Sequence, residues 1–371
     1  MKPIFLDHAA GSPLRPEVLR ALEEHKDLVP NPNGAHAASR RSRAVLEESR
    51  ERVAELLGCT PREVLFTSGG TESANMGVFA GDGIERVLIS AIEHTAVFSA
   101  AVARDVPHLE LRVESDGVLD LDEARASVQP GDLVSVMAAN SETGAIQPVV
   151  ELVDSLGEIR SRVLIHSDAV AAASCHDLRP LVARCDLVTL AGHKLGAPAG
   201  IGVLVAKAGV TLTSLSYGGA QEAGVRSGTQ NVLGALAMSV ALEAAIADQA
   251  EGRTHAMRTR RDRLEAVLLE HSGVEVSAAT APRLEGHCHV TVGGARSEEL
   301  LLLLDQRGLC VAAGSACSSG APQASRVLLA MGVNEARARG ALRFTLSTST
   351  TDGEIDRACS AVHETLAQLV G

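Results

Sequence analysis

The feature that most constrains this chain is an alternation repeated through its first two hundred residues. Short runs rich in Val, Leu and Ile, at 63–67, 86–90, 133–137, 163–166, 186–190 and 202–206, are bounded by polar residues or glycine. Each reads as a buried strand. Stretches with helical patterning, among them 71–78, 95–104 and 149–159, separate several of them. Strand and helix in alternation demand a mostly parallel sheet with helices on both faces. The expected class is therefore α/β. A long helical pattern follows from 232 to about 270, and the texture then changes. Runs at 273–277, 289–292, 309–312 and 341–346, with helical patterns at 298–306, 324–331 and 352–370, suggest a smaller α+β unit. The boundary is placed near residue 250.

Composition excludes whole classes of function. The chain has 371 residues and 34 Lys plus Arg against 46 Asp plus Glu, a formal charge of −12, and only 2% of it is aromatic. Phosphate backbones require clustered cations and single strands require stacking rings, so no nucleic-acid partner is expected. No apolar run approaches the roughly 20 residues that span a bilayer, and the opening residues lack the pattern of a secretory leader. No membrane partner is expected, and the expected location is cytoplasmic. Seven cysteines, scattered and never spaced Cys-x-x-Cys, signal neither disulfides nor a cysteine zinc site. The run His287-Cys288-His289 lacks a further ligand nearby and reads as a surface strand rather than a metal site.

Three local patterns carry chemistry. After the run ending at Thr67 comes Ser68-Gly-Gly-Thr-Glu-Ser73, a strand, small residues and then a helix start, which offers backbone N–H groups to a phosphate. An ordinary βα turn reads the same way in isolation. Asp168 ends the apolar run 163–166, at the strand edge where open α/β sheets bind ligands. A carboxylate there is costly unless a cation meets it. Lys194 follows the next strand in Gly192-His-Lys194-Leu-Gly, and a partly buried lysine loses its charge readily enough to form a Schiff base. A phosphate turn, an acid for a ring nitrogen and an imine-forming lysine, in that order, are the requirements of pyridoxal 5'-phosphate.

Taken with the motifs Leu6-Asp-His-Ala-Ala10, Asn31-Pro-Asn-Gly-Ala-His36, Glu93-His94, Asn140-Ser-Glu-Thr-Gly144, Arg226-Ser-Gly-Thr229 and Gly314-Ser-Ala-Cys317, the chain resembles a cysteine desulfurase of the NifS/IscS-like subgroup. That group belongs to the class V aminotransferase superfamily of fold-type I pyridoxal-phosphate enzymes. The resemblance implies a large cofactor-binding domain at 14–250 with a mostly parallel seven-stranded sheet. A smaller domain, 1–13 with 251–371, would carry the catalytic cysteine loop. It implies that Lys194 forms the imine with the cofactor, Asp168 pairs with the pyridine nitrogen, and His94 stacks on the ring and assists proton transfer. Gly70, Thr71 and His193 would hold the phosphate, joined by Thr229 from the partner of a homodimer. Asn140 would contact ring or substrate, Arg343 would bind the substrate carboxylate, and Cys317 would take the sulfur of L-cysteine as a persulfide. Its acceptor would be another protein, an iron–sulfur cluster assembly scaffold or a thiolation enzyme. Without the resemblance, Arg343 reads as a surface residue of an edge strand, and Cys59, Cys175, Cys185, Cys310 and Cys359 as inert thiols.

Three positions depart from the family pattern. Ala171 stands where Gln usually meets the ring hydroxyl, Ala191 where Ser meets the phosphate, and Ala223 where Arg is usual. Two other readings follow. One is a related C–S or C–Se lyase, selenocysteine lyase-like or biosynthetic. The other is an impaired paralogue that serves as a binding partner.

Overall fold

The structure, a computed structural model, describes residues 3–314 and 324–370. Cys317 lies outside the described residues. Twelve strands occur among them: β1 (Ile4–Phe5), β2 (Val64–Thr67), β3 (Arg86–Ser90), β4 (His108–Leu111), β5 (Asp132–Ser135), β6 (Leu164–Asp168), β7 (Leu187–Ala191), β8 (Gly202–Ala206), β9 (Val274–Val276), β10 (His287–Val292), β11 (Leu309–Cys310) and β12 (Ala341–Thr345).

Seven strands form one sheet in the order β2-β8-β7-β6-β5-β3-β4. The pairs β3–β4, β3–β5, β5–β6 and β6–β7 are parallel, while β8 runs antiparallel to both β7 and β2. The exception has a cause in chain length. Only residues 192–201 separate β7 from β8, too few for the crossover a parallel neighbour needs. Each of β2, β5, β7 and β8 is buried along its whole length. That burial on two faces is why their sequences are continuous runs of Val and Leu rather than alternating patterns.

The edge strand β4 was not anticipated. Its sequence is His-Leu-Glu-Leu, exposed at three of its four positions, so it carries no apolar run. The pattern from 232 to 270 is two helices, Val232–Ala250 and Arg253–Leu269. Gly252 separates them in a left-handed conformation, φ 73°, which glycine adopts without strain. Contrary to the expectation from the sequence, Val232–Ala250 is long and apolar enough to cross a membrane. Here it is a core helix. It packs against the helices Pro16–Glu24 and Ala37–Leu57, burying Ala235, Met238, Ala241, Leu242 and Ala245.

The remaining strands build around a second apolar cluster. An antiparallel sheet of order β12-β10-β9 stands beside the parallel pair β1–β11. Ile4 and Leu6 share that cluster with Leu264, Val290, Leu304 and Phe344, so the start of the chain packs with residues beyond 260. The central strand β10 corrects the reading of its histidines. His287, Cys288 and His289 are all buried because β10 is covered on both faces along its whole length. Burial pushes both imidazoles down to about 3, which keeps them neutral. Among the described residues no three potential ligands converge on a metal position.

Candidate active site

The parallel strands deliver their C-terminal ends to one side of the sheet. β6 ends on Asp168, and β7 ends on Ala191 and turns directly into the short helix Gly192–Leu195 that carries His193 and Lys194. β2 ends at Thr67, and the helix Gly70–Val78 starts three residues later. Small residues are required at this turn. A Cβ on Gly70 would sit 3.1 Å from Val170 Cγ2 and 3.3 Å from Ala191 Cβ, and one on Gly202 would lie 2.6 Å from the carbonyl carbon of Gly69. The turn is pinned by Thr67, whose hydroxyl lies 2.7 Å from that of Ser73.

These ends surround a cavity of about 440 Å³ whose walls include Ser68, Gly70, Thr71, Glu72, His94, Met137, Asp168, Ala171, His193, Lys194 and Arg343. Seven residues singled out from the sequence therefore meet: Gly70, Thr71, His94, Asp168, His193, Lys194 and Arg343. Two do not reach the wall. Asn140 is buried beside it with its side chain engaged elsewhere. Its amide donates to Ile92 O at 3.1 Å, and its oxygen accepts from the backbone N–H groups of Glu142 and Thr143, both at 2.9 Å. Thr229 is exposed and stands apart from the cavity.

His94 occupies two positions at once. It is the N-cap of the helix Thr95–Ala103, accepting from Ala96 N–H at 3.1 Å through Nδ1, and it also lines the cavity. The cap fixes the tautomer. With Nδ1 accepting, a neutral ring carries its proton on Nε2.

Asp168 is 7% exposed and accepts from Val170 N–H at 2.9 Å. Burial raises its pKa, against the pull of that bond and of the His94 and Lys194 charges. A buried carboxyl in that state is stabilised by any cation placed against it. Behind it lies Glu93, which sequence reasoning quoted without a role. One of its oxygens accepts from Met137 N–H at 2.6 Å. Burial and the Asp168 charge hold its pKa well above the carboxylate range.

The chain's start closes the site. Lys194 Nζ donates to Ala9 O, and Ala9 N–H donates to Thr345 Oγ1 at 2.8 Å. Arg343 is no surface residue. It is 2% exposed, pairs with Asp7 Oδ1 at 2.7 Å, and donates to Ser141 O at 3.1 Å. Its Nε is buried with no hydrogen-bond partner among the described residues. Behind Lys194 a second cavity of about 170 Å³ shares Ala9, Ala171 and Lys194 with the first. The small side chain at 171 thus borders open space on both sides.

The aminotransferase class-V family model matches residues 4–358. The chain belongs to that family. Among the relatives of this class-V chain is the IscS-like cysteine desulfurase of Mycobacterium tuberculosis (strain ATCC 25618 / H37Rv). It is 37% identical over 381 aligned positions, spanning 98% of this chain and 96% of the relative. A solved NifS-like protein superposes with a TM-score of 0.89 at 30% identity, covering 99% of this chain and all of that one. A structure of SspA in complex with cysteine gives 0.79 at 26% identity, over 94% and 99% of the two chains. The high TM-scores agree with the seven-stranded α/β core and with its fold-type I class.

The class-V family is one of pyridoxal-phosphate enzymes, and the cavity suits that group on its own terms. Its turn is kept free of side chains at Gly70, its buried acid calls for a cation, and its lysine reaches the wall. Ala171 and Ala191 also line the wall, and neither methyl group can offer a hydrogen bond to a bound group.

Proposed function

We propose that this chain is a cysteine desulfurase that takes the sulfur of L-cysteine onto Cys317 and passes it to an acceptor protein. The observation that carries this reading is the convergence of Lys194, Asp168, His94 and Arg343 on one cavity floored by the Gly70 turn. Full-length relatives that carry the activity in their names support it. Pyridoxal 5'-phosphate, held by Gly70, Thr71 and His193 together with Thr229 of the partner subunit, supplies an electron sink for charge developing at the substrate α-carbon.

The chain's own groups do the rest. Asp168 keeps a positive charge on the ring nitrogen. Arg343 takes the substrate carboxylate in a planar fork of donors, and its unpartnered Nε supports that role. Lys194 Nζ would receive the α-proton and return it as alanine forms. His94 lies against the ring face, a task left to it in a chain with no Trp and with its single Tyr, Tyr217, 91% exposed. The Cys317 thiolate attacks the substrate sulfur, so an S–S bond forms as the C–S bond breaks. The C–S electron pair stays with carbon, which is protonated and leaves as alanine.

The working unit in this reading is a homodimer in the cytoplasm, with the large domain at 14–250 and the cysteine loop in the smaller one. The acceptor belongs to iron–sulfur cluster assembly or to a thiolation pathway. The deciding assay incubates purified protein with pyridoxal phosphate, L-cysteine and a reductant and measures alanine and sulfide. Selenocysteine and S-substituted cysteines run in parallel to separate a lyase. Cys317→Ser is expected to bind cofactor and cysteine yet release no sulfide, and unchanged sulfide from that variant would overturn the role of Cys317.

A further inference from the structure

The motif Arg226-Ser-Gly-Thr229, whose threonine stands apart from this chain's cavity, meets a residue of its wall through its arginine. Glu72, one residue after Thr71, lines the cavity with Ser68, Gly70 and Thr71, and its carboxylate sits against the backbone N–H of Ser68. That is an unfavourable place for a negative charge, because the same turn and helix start must receive a phosphate dianion. Two contacts restrain it. One carboxylate oxygen accepts from Ser68 N–H, and the other accepts from Arg226 Nε at 3.0 Å. Both side chains of the pair are 22% exposed, so solvent screens it only in part. Burial lifts the Glu72 carboxyl, but the bonds from Ser68 and Arg226 outweigh it and hold the group below its usual range. The acid is therefore charged whenever the cofactor binds.

Arg226 itself is held in place by a well-anchored segment. Four residues earlier, the buried carboxylate of Glu222 accepts from Phe66 N–H of β2 at 2.9 Å, immediately before the phosphate turn. Two carboxylates, at 222 and 72, thus tie the segment to successive parts of the same strand and turn.

We propose that Arg226 is a positioning residue for the cofactor phosphate: it holds Glu72 back against Ser68 and cancels its charge, so that the turn 68–71 presents a net positive face. Removing Arg226 converts Glu72 from a neutralised neighbour into a repelling one. The inference rests on the reading of the cavity as a pyridoxal-phosphate site.

The test compares binding of pyridoxal 5'-phosphate and of unphosphorylated pyridoxal to cofactor-stripped protein, followed by the absorbance of the bound species. The proteins are wild type, Arg226→Ala, Arg226→Lys, Glu72→Gln and the double variant. Arg226→Ala is expected to weaken the phosphate form about tenfold, the order expected of one partly screened charge near a dianion. Pyridoxal binding should stay the same. Arg226→Lys should keep most of the affinity, and the double variant should recover it to within about threefold. Equal losses for both ligands, or no recovery in the double variant, overturn the proposal, because a merely structural role predicts both. Should Arg226→Ala fail to fold, Glu72→Gln decides alone: affinity for the phosphate form at or above wild type supports the proposal, and a tenfold loss overturns it. If wild-type protein binds neither ligand, the cofactor reading itself fails. If wild type binds and only the variant pattern is wrong, that reading stands and this inference falls.

Discussion

Glu222 is a carboxylate that the fold has over-determined, which makes the effect of removing it calculable. Its side chain is fully buried and that of Arg50 is 10% exposed. The two form a bidentate pair, Arg50 NH1 to Oε2 at 2.9 Å and NH2 to Oε1 at 2.8 Å. Glu222 also accepts from Phe66 N–H at 2.9 Å and from Gln230 Nε2 at 3.1 Å, while Arg50 donates to Val64 O at 2.6 Å. These bonds hold Glu222 at φ +45°, a backbone state that costs about 1–3 kcal/mol for a residue with a side chain. In Glu222→Gln the buried Arg50 keeps only the half-exposed Glu47, 3.0 Å from its Nε, as a counterion, and an amide N–H replaces one of two acceptors. Breaking a buried pair from one side costs about 3–5 kcal/mol. At about 2.1 cal/mol/K of unfolding entropy per residue, 4 kcal/mol lowers the melting temperature of a chain this long by roughly 5 °C.

The double variant Arg50→Met with Glu222→Met leaves no buried unpaired charge, only the orphaned Phe66 N–H, Val64 O and Gln230 amide and a half-exposed Glu47. It should lose about 2 kcal/mol, less than either single variant. Urea denaturation of wild type, Arg50→Met, Glu222→Met and the double variant, evaluated as a double-mutant cycle, measures this. A single-variant loss under about 1 kcal/mol, or a double-variant loss equal to the sum of the singles, would refute the claim that the pair is the clamp.

Asp168→Asn should abolish most activity while leaving the cofactor-free protein at least as stable as wild type, since burial already disfavours the ionised acid; thermal melts beside the alanine assay check both halves. Lys194→Ala should bind the cofactor reversibly, so that borohydride treatment followed by mass spectrometry labels the wild-type peptide and not the variant. Acid stability should reflect the buried histidines. His287 and His289 sit near 3 and His166 near 4 in the fold, against about 6.5 unfolded. The unfolded chain therefore binds more protons between those values, and stability present above about pH 6.5 is lost progressively as pH falls towards 3. Melting temperatures flat over that window would contradict the neutral, buried state of these rings.

What the sequence revealed and what it withheld divide along physical lines. Lys194, Asp168 and the Gly70 turn were legible because each sits at a fixed offset from the end of a buried strand, and buried parallel strands announce themselves as apolar runs. β4 had no such run to announce it. Asp7 and Glu72 acquire their meaning only from partners 336 and 154 residues away, separations that no local pattern encodes. The pattern from 232 to 270 reads as one helix because the break at Gly252 is a backbone feature that leaves the helical periodicity on either side intact. His287 and His289 alternate like a half-exposed strand, yet coverage of β10 on both sides is a property of its neighbours and not of its own residues.

The pairing of β1 with β11 also has a consequence in time. Ile4 meets Leu309 and Phe5 meets Cys310, so the first strand made waits for a partner about 300 residues downstream, some 15–60 s at ribosomal speeds of about 5–20 residues per second. The seven-stranded sheet, complete by Ala206, has no such delay. The bonds from Ala9 to Lys194 and from Asp7 to Arg343 belong to the late event. A nascent chain therefore acquires its scaffold well before Lys194 is covered, and chains truncated before residue 309 should carry a formed sheet with an open cavity.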